Sequence, residues 1–159
     1  MIFSAAAVSS ILLFSACSSQ SPEPKPALQA PQLSDEEMLA EDMVSSMLTA
    51  IRKNDRDQFV RYMVDEMKTS ITDEAFKAMV TEFNKKKGPY ISRKYLGSLE
   101  QPFFRVYLWK AKFAPSKEMV EAFRKKGKSE SDIPVTDTLI RLELGNVDKS
   151  IKVFGIYFQ

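Results

Sequence analysis

Hydrophobic positions recur at helical spacing over residues 34–87 and alternate over residues 90–158. Leu39, Met43, Met47, Leu48 and Ile51 share one face of a 3.6-residue period. Ser34 precedes them as a cap, with Glu37 three positions on. Asp35-Glu36-Glu37 suits the positive end of a helix dipole, and Arg52-Lys53 closes the helix before Asn54. Asp55, with Gln58 at the matching position, opens a second, short helix that buries Phe59, Tyr62 and Met63. Thr72 opens a third, with Phe76, Met79, Val80 and Phe83 on one face. Lys85-Lys86-Lys87 stands at its negative end, and Gly88 is read as the C′ stop.

After Gly88-Pro89 the pattern becomes that of strands. Residues 90–99 predict a first strand, irregular at Gly97, and residues 103–113 a long second one. Residues 138–144 alternate, with Ile140, Leu142 and Leu144 against Arg141 and Glu143. Residues 145–149 form a turn and 150–158 the last strand. Segment 114–137 interrupts the meander. It holds a short amphipathic helix (Met119, Val120, Phe123) and a charged loop with Arg124-Lys125-Lys126-Gly127-Lys128. Three N-terminal helices packed on an antiparallel sheet of about four strands is an α+β layout.

The chain before Ser34 has a different character. Residues 5–16 are apolar and small, and they end at Cys17, the only cysteine. The run falls well short of the roughly 20 apolar residues that span a bilayer. Its length and small-residue exit are those of a secretory signal. Ser15-Ala16-Cys17 resembles the lipobox of bacterial lipoproteins. Phe14 stands where that family prefers Leu, and residues 1–16 lack the usual basic n-region. The resemblance implies cleavage before Cys17, a diacylated thiol and an acylated new amino terminus. It places the protein in the cell envelope, anchored by lipid with its domain facing the periplasm or exterior. Ser18 in place of an inner-membrane retention Asp implies the outer membrane in a Gram-negative host. Pro22, Pro24, Pro26 and Pro31 make the next stretch an extended tether. The expected organisation is a signal peptide at 1–16, a lipidated cysteine and tether at 17–33, and a domain at 34–159 with an insertion at 114–137.

Composition mainly excludes. A net charge of +2 is too weak a bias for nucleic acid. The chain has no histidine, which removes Ser-His-Asp and Cys-His catalysis, HExxH zinc sites and facial triads. Glycines stand apart, without GxGxxG or GxxxxGK[ST]. No catalytic residue, metal site or cofactor is expected.

The element order resembles the nuclear-transport-factor-2-like fold, also called a cystatin-like cone. The segments that carry the resemblance are Asn84-Lys85-Lys86-Lys87-Gly88-Pro89-Tyr90, Leu108-Trp109-Lys110-Ala111-Lys112-Phe113 and Lys152-Val153-Phe154-Gly155-Ile156-Tyr157-Phe158. They look like a group of secreted bacterial domains of unknown function. The resemblance implies a curved, cone-like sheet enclosing a pocket, with the insertion at 114–137 as a departure. It brings no established activity.

Tyr62, Tyr90, Tyr95, Tyr107, Trp109 and Tyr157 are the candidates for lining a pocket or an interface, against the ordinary reading of core and rim aromatics. The second strand is apolar on both faces, so one face lines the core and the other meets a cover or a second copy. Arg105 lies on the Trp109 side, as an anion binder or a solvated strand residue. Glu143, the carboxylate inside an apolar strand, alternates outward. The basic runs 85–87 and 124–128 read as a helix end and a solvated loop, against contact with anionic lipid phosphates. The expected function is non-catalytic binding of a small apolar ligand or an envelope protein. The alternatives are an enzyme acting on a small hydrophobic substrate in the same pocket, and a module that dimerises through its sheet.

Overall fold

A computed structural model describes residues 33–159. The signal, Cys17 and all but the last residue of the tether lie outside the described residues.

Among the described residues four helices precede the sheet: α1 (Asp35–Lys53), α2 (Arg56–Val60), α3 (Asp65–Ser70) and α4 (Asp73–Lys86). The strands are β1 (Tyr90–Glu100), β2 (Arg105–Phe113), β3 (Thr136–Val147) and β4 (Ser150–Phe158), with α5 (Lys117–Lys125) between β2 and β3. Ser34 caps α1 in a reciprocal capping box with Glu37, and Asn54 ends the helix in the left-handed region. Thr72 caps α4 by accepting from the Ala75 amide. Asp148 and Lys149 both take positive φ, so the expected five-residue turn shrinks to a tight two-residue hairpin and β3 runs on to Val147.

Helix α3 is the element that periodicity misses. It buries none of its residues. Tertiary contact holds it instead: Arg56 donates from Nε to the Ile71 carbonyl at 2.7 Å and from Nη2 to the Lys68 carbonyl, satisfying the end of the helix.

The sheet order is β1-β2-β3-β4, with every neighbouring pair antiparallel. This corrects the expected cone. β1 and β4 stand at opposite edges and do not pair, so the sheet is open, neither closed nor strongly curled. The outer edge of β4 is engaged elsewhere. Val153 donates to the Tyr62 carbonyl at 2.8 Å and accepts from the Val64 amide at 3.1 Å, which gives Met63 a parallel bridge to Val153. The helical layer therefore meets β4 where closure would have needed β1.

The core lies between α1 and one face of the sheet. Helix α1 contributes Ala40, Met43, Val44, Met47, Leu48, Ala50 and Ile51. The facing sheet contributes Tyr107, Trp109, Ala111 and Phe113 from β2, Ile140, Leu142 and Leu144 from β3, and Val153 from β4. The parity of β2 is thus settled, with the Trp109 side inward. Each such large side chain contributes roughly 1.5–3 kcal/mol by leaving water. Among the described residues the buried cluster runs from Ala40 to Val153, and Gln32–Gln159 form one compact unit with a core of its own.

The opposite face holds Glu143, which points outward as alternation requires yet is only 8% exposed. Arg141 donates to it and lies over the Tyr157 ring at 5.3 Å. Tyr157 folds across Gly155, where a Cβ would sit 2.7 Å from the phenol oxygen.

Candidate functional site

A depression forms where α4 hands the chain to β1. Lys87 caps α4 on extended backbone, with φ −123° and ψ 134°, and Gly88 stands at the predicted C′ position without the left-handed φ of a C′ glycine. Close approach is what requires glycine here. A Cβ on Gly88 would lie 2.2 Å from the Ala114 carbonyl oxygen and 2.4 Å from that of Pro115. The Gly88 amide donates to Ala114 at 3.0 Å, and the Ala114 amide returns a bond to Pro89 at 2.8 Å. This clamp joins the start of β1 to the end of β2 and sets the path into α5, whose cap Ser116 is buried and accepts from Met119.

Around the clamp opens a cleft of about 1390 Å³. Leu48 and Ile51 of α1, Phe83 of α4 and Phe113 of β2 form its apolar side. Val120 and Ile133, from segment 114–137, also line it. The aromatic rings pack edge to face: Phe83 on Phe113 at 5.6 Å, Phe83 on Phe158 at 4.9 Å and Tyr90 on Phe113 at 5.8 Å.

The polar rim is cationic. Arg93 bonds Glu41 at 2.8 Å, Ser45, and the Tyr90 hydroxyl at 3.2 Å. Lys85 pairs with Glu82 at 2.7 Å, which raises the lysine pKa. The Lys87 ammonium donates to the buried Thr138 hydroxyl at 2.8 Å and pairs with no carboxylate among the described residues. The two carboxylates that line the cleft, Glu118 and Glu121, are both exposed.

The six aromatic candidates are not brought together. Tyr90 lines the cleft. Trp109 is fully buried in the core, and its Nε1 is the one buried side-chain polar atom without a hydrogen-bond partner among the described residues. Tyr62 packs partly buried against the core through α2's exit, and Tyr157 lies on the outer sheet face. Tyr95 and Tyr107 belong to a separate charged cluster.

That cluster closes the other end of β2 around a smaller depression of about 440 Å³. Arg105 donates to both Glu36 and Glu100, so it is spent on carboxylates rather than offered to an anion. These contacts, Glu100 first, raise its pKa further. Tyr107 donates to Glu36 at 3.4 Å, and burial pushes its phenol up. Tyr95 donates to Glu37 at 2.8 Å. Burial first, and then the Glu37 carboxylate, push Tyr95 up to about 12, against an opposing bond to Ser98. The Ser34 amide and the Tyr95 hydroxyl hold Glu37 below the usual carboxylate range.

Sequence reasoning missed Lys87 with Thr138, which are 51 residues apart. The run Lys85-Lys86-Lys87 signalled charge at a helix end, but nothing local singled out its last member. Among the described residues there is no cluster of three or more potential metal ligands, and no helix is long and apolar enough to cross a membrane.

No protein-family model and no curated protein matches the chain. Distant likeness to solved structures exists. A SEC-C motif containing protein from Rhodopseudomonas palustris shares 14% identity over 74% of this chain and 76% of its own, with a TM-score of 0.47. An NTF-2 like protein of unknown function from Shewanella oneidensis shares 8% over 75% and 94%, at 0.42. An uncharacterized cystatin fold protein from Novosphingobium aromaticivorans shares 11% over 74% and 95%, at 0.39.

Proposed function

We propose that the chain is a lipid-anchored envelope protein whose domain binds a small apolar ligand in the cleft beside Gly88, without catalysis. The observation that carries this reading is a cleft of about 1390 Å³ beside Gly88, with Phe83, Tyr90 and Phe113 in its wall. The cleft carboxylates support binding over chemistry. Glu118 and Glu121 are exposed, and a general base tuned for neutral pH needs burial or a like charge to raise its pKa. The anchor rests on the lipobox resemblance at Cys17.

Native mass spectrometry of residues 33–159, with dodecanol added as an apolar probe, tests the binding. A retained small molecule, or a one-to-one dodecanol adduct lost in Phe83→Asp, is expected. A bare monomer that takes up no dodecanol overturns the reading. A bare dimer would favour the alternative of assembly through the outer sheet face, where Leu99, Phe154 and Tyr157 are exposed. Cys17→Ala is expected to move the full chain from the membrane fraction to the soluble one, and unchanged partition overturns the anchor.

A further inference from the structure

The cleft has apolar walls and a positive charge held at a fixed point, and that combination names a ligand class. We infer that it takes a single-chain amphiphile with an anionic head, a carboxylate or phosphate, seated against Lys87. This rests on the binding reading above and goes further by assigning the head group.

Lys87 differs from Arg93 and Lys85 of the rim. Arg93 is committed to Glu41 and Lys85 to Glu82. Arg52 and Lys85 lie in the last turns of α1 and α4, where the negative ends of the helix dipoles already answer positive charge. Lys87, the C-cap of α4, stands on extended backbone and has no carboxylate partner among the described residues. Its only bond partner among the described residues is the neutral Thr138 hydroxyl. An ammonium has three donors, so two remain for a ligand.

The position is also preorganised. Thr138 is 2% exposed and holds the ammonium from the core side. The Gly88–Ala114 clamp fixes the backbone on which Lys87 stands. Lys87 itself is half-buried, which reduces solvent screening of its charge. A bound head group would meet a cation whose ordering cost is already met, and the chain beyond it would lie along Phe83, Phe113 and Val120. The second basic run contributes Arg124 to the same cleft, so two runs that are remote in sequence converge there.

Calorimetric titration of residues 33–159 at pH 7.5 tests this with four probes: dodecanoate, dodecyl phosphate, dodecanol and inorganic phosphate. The anionic amphiphiles are expected to bind at least about tenfold tighter than dodecanol, the factor of one charge-assisted hydrogen bond. In Lys87→Gln that preference is expected to vanish while dodecanol affinity is unchanged, which also reports that the cleft is intact. Dodecanol binding as tightly as dodecanoate overturns the head-group inference and leaves the apolar-ligand reading standing. No binding by any chain-bearing probe overturns both. Inorganic phosphate binding as tightly as dodecyl phosphate makes the site one for bare anions and overturns the amphiphile. The comparison of probes on the unaltered domain decides the matter even if the variant fails to fold.

Discussion

The two ends of strand β2 reach opposite results. At its start, Arg105 is answered by Glu36 and Glu100, while Tyr107 and Tyr95 donate to Glu36 and Glu37. Charge meets charge there, and the depression is small. At its other end, eight residues later, the backbone is clamped at Gly88 and the walls are aromatic. Lys87 faces the cleft with a hydroxyl for its only partner among the described residues. A domain that needed only stability would pair both ends alike. The difference separates a lock from a site: the start of β2 ties the first turn of α1 to the sheet, and its end leaves attraction unspent.

The largest effect should come from breaking the clamp. In Gly88→Ala the new methyl would stand 2.2 Å from the Ala114 carbonyl oxygen, with backbone rather than flexible side chain in the way. The β1 start must then move off segment 114–137. We expect a loss of about 3 kcal/mol, the upper range for forced overpacking, read as a lower urea midpoint. Unchanged stability would show that the clamp is soft, and the fixed position of Lys87 would lose its basis.

A smaller effect should separate the lock from the core beneath it. Tyr107→Phe keeps the buried ring and removes only the hydroxyl that joins Glu36 and Arg105. A loss of about 1 kcal/mol is expected, the usual net value of one hydrogen bond. Ligand binding at the far end should be unaffected. A change in dodecanol affinity in this variant would mean that the two ends are coupled, and the contrast between them would fail.

The sequence was most readable where local chemistry and burial agree. The α1 capping box, the left-handed Asn54 and the alternation of Ile140, Leu142 and Leu144 each state their structure within a few residues. It was least readable where the deciding partner is remote. Helix α3 has no fully buried residue and depends on Arg56, and the inward face of β2 depends on where α1 packs. The cone expected from element order failed because order says nothing of edges. β4 bonds to residues 62–64, so the sheet stays open. Of the aromatic candidates, only Tyr90 belongs to the cleft, because aromatic character marks core, rim and outer face alike. The cation that distinguishes the cleft is legible only once Thr138 is placed beneath it.

The smallest expected effect is one of pH, and it belongs to the lock alone. Tyr95 titrates near 10 in an unfolded chain, and burial pushes it up to about 12 in the fold. Between those values the unfolded state has released the proton and the folded state still holds it. Unfolding then releases a proton, so raising the pH favours the unfolded state. The contribution of this tyrosine is complete below pH 10 and is lost as the pH climbs through 12. Glu37 runs the other way: its lowered pKa gives stability that is present above the ordinary carboxylate range and fades as the pH falls through it. Melting temperatures from pH 9 to 12 should therefore fall less steeply in Tyr95→Phe than in the parent domain. The remaining slope belongs in part to Tyr107, whose phenol is raised by burial as well. Parallel curves for the two proteins would mean that Tyr95 is solvated in the fold. The Tyr95–Glu37 bond would then not be part of what closes this end of β2.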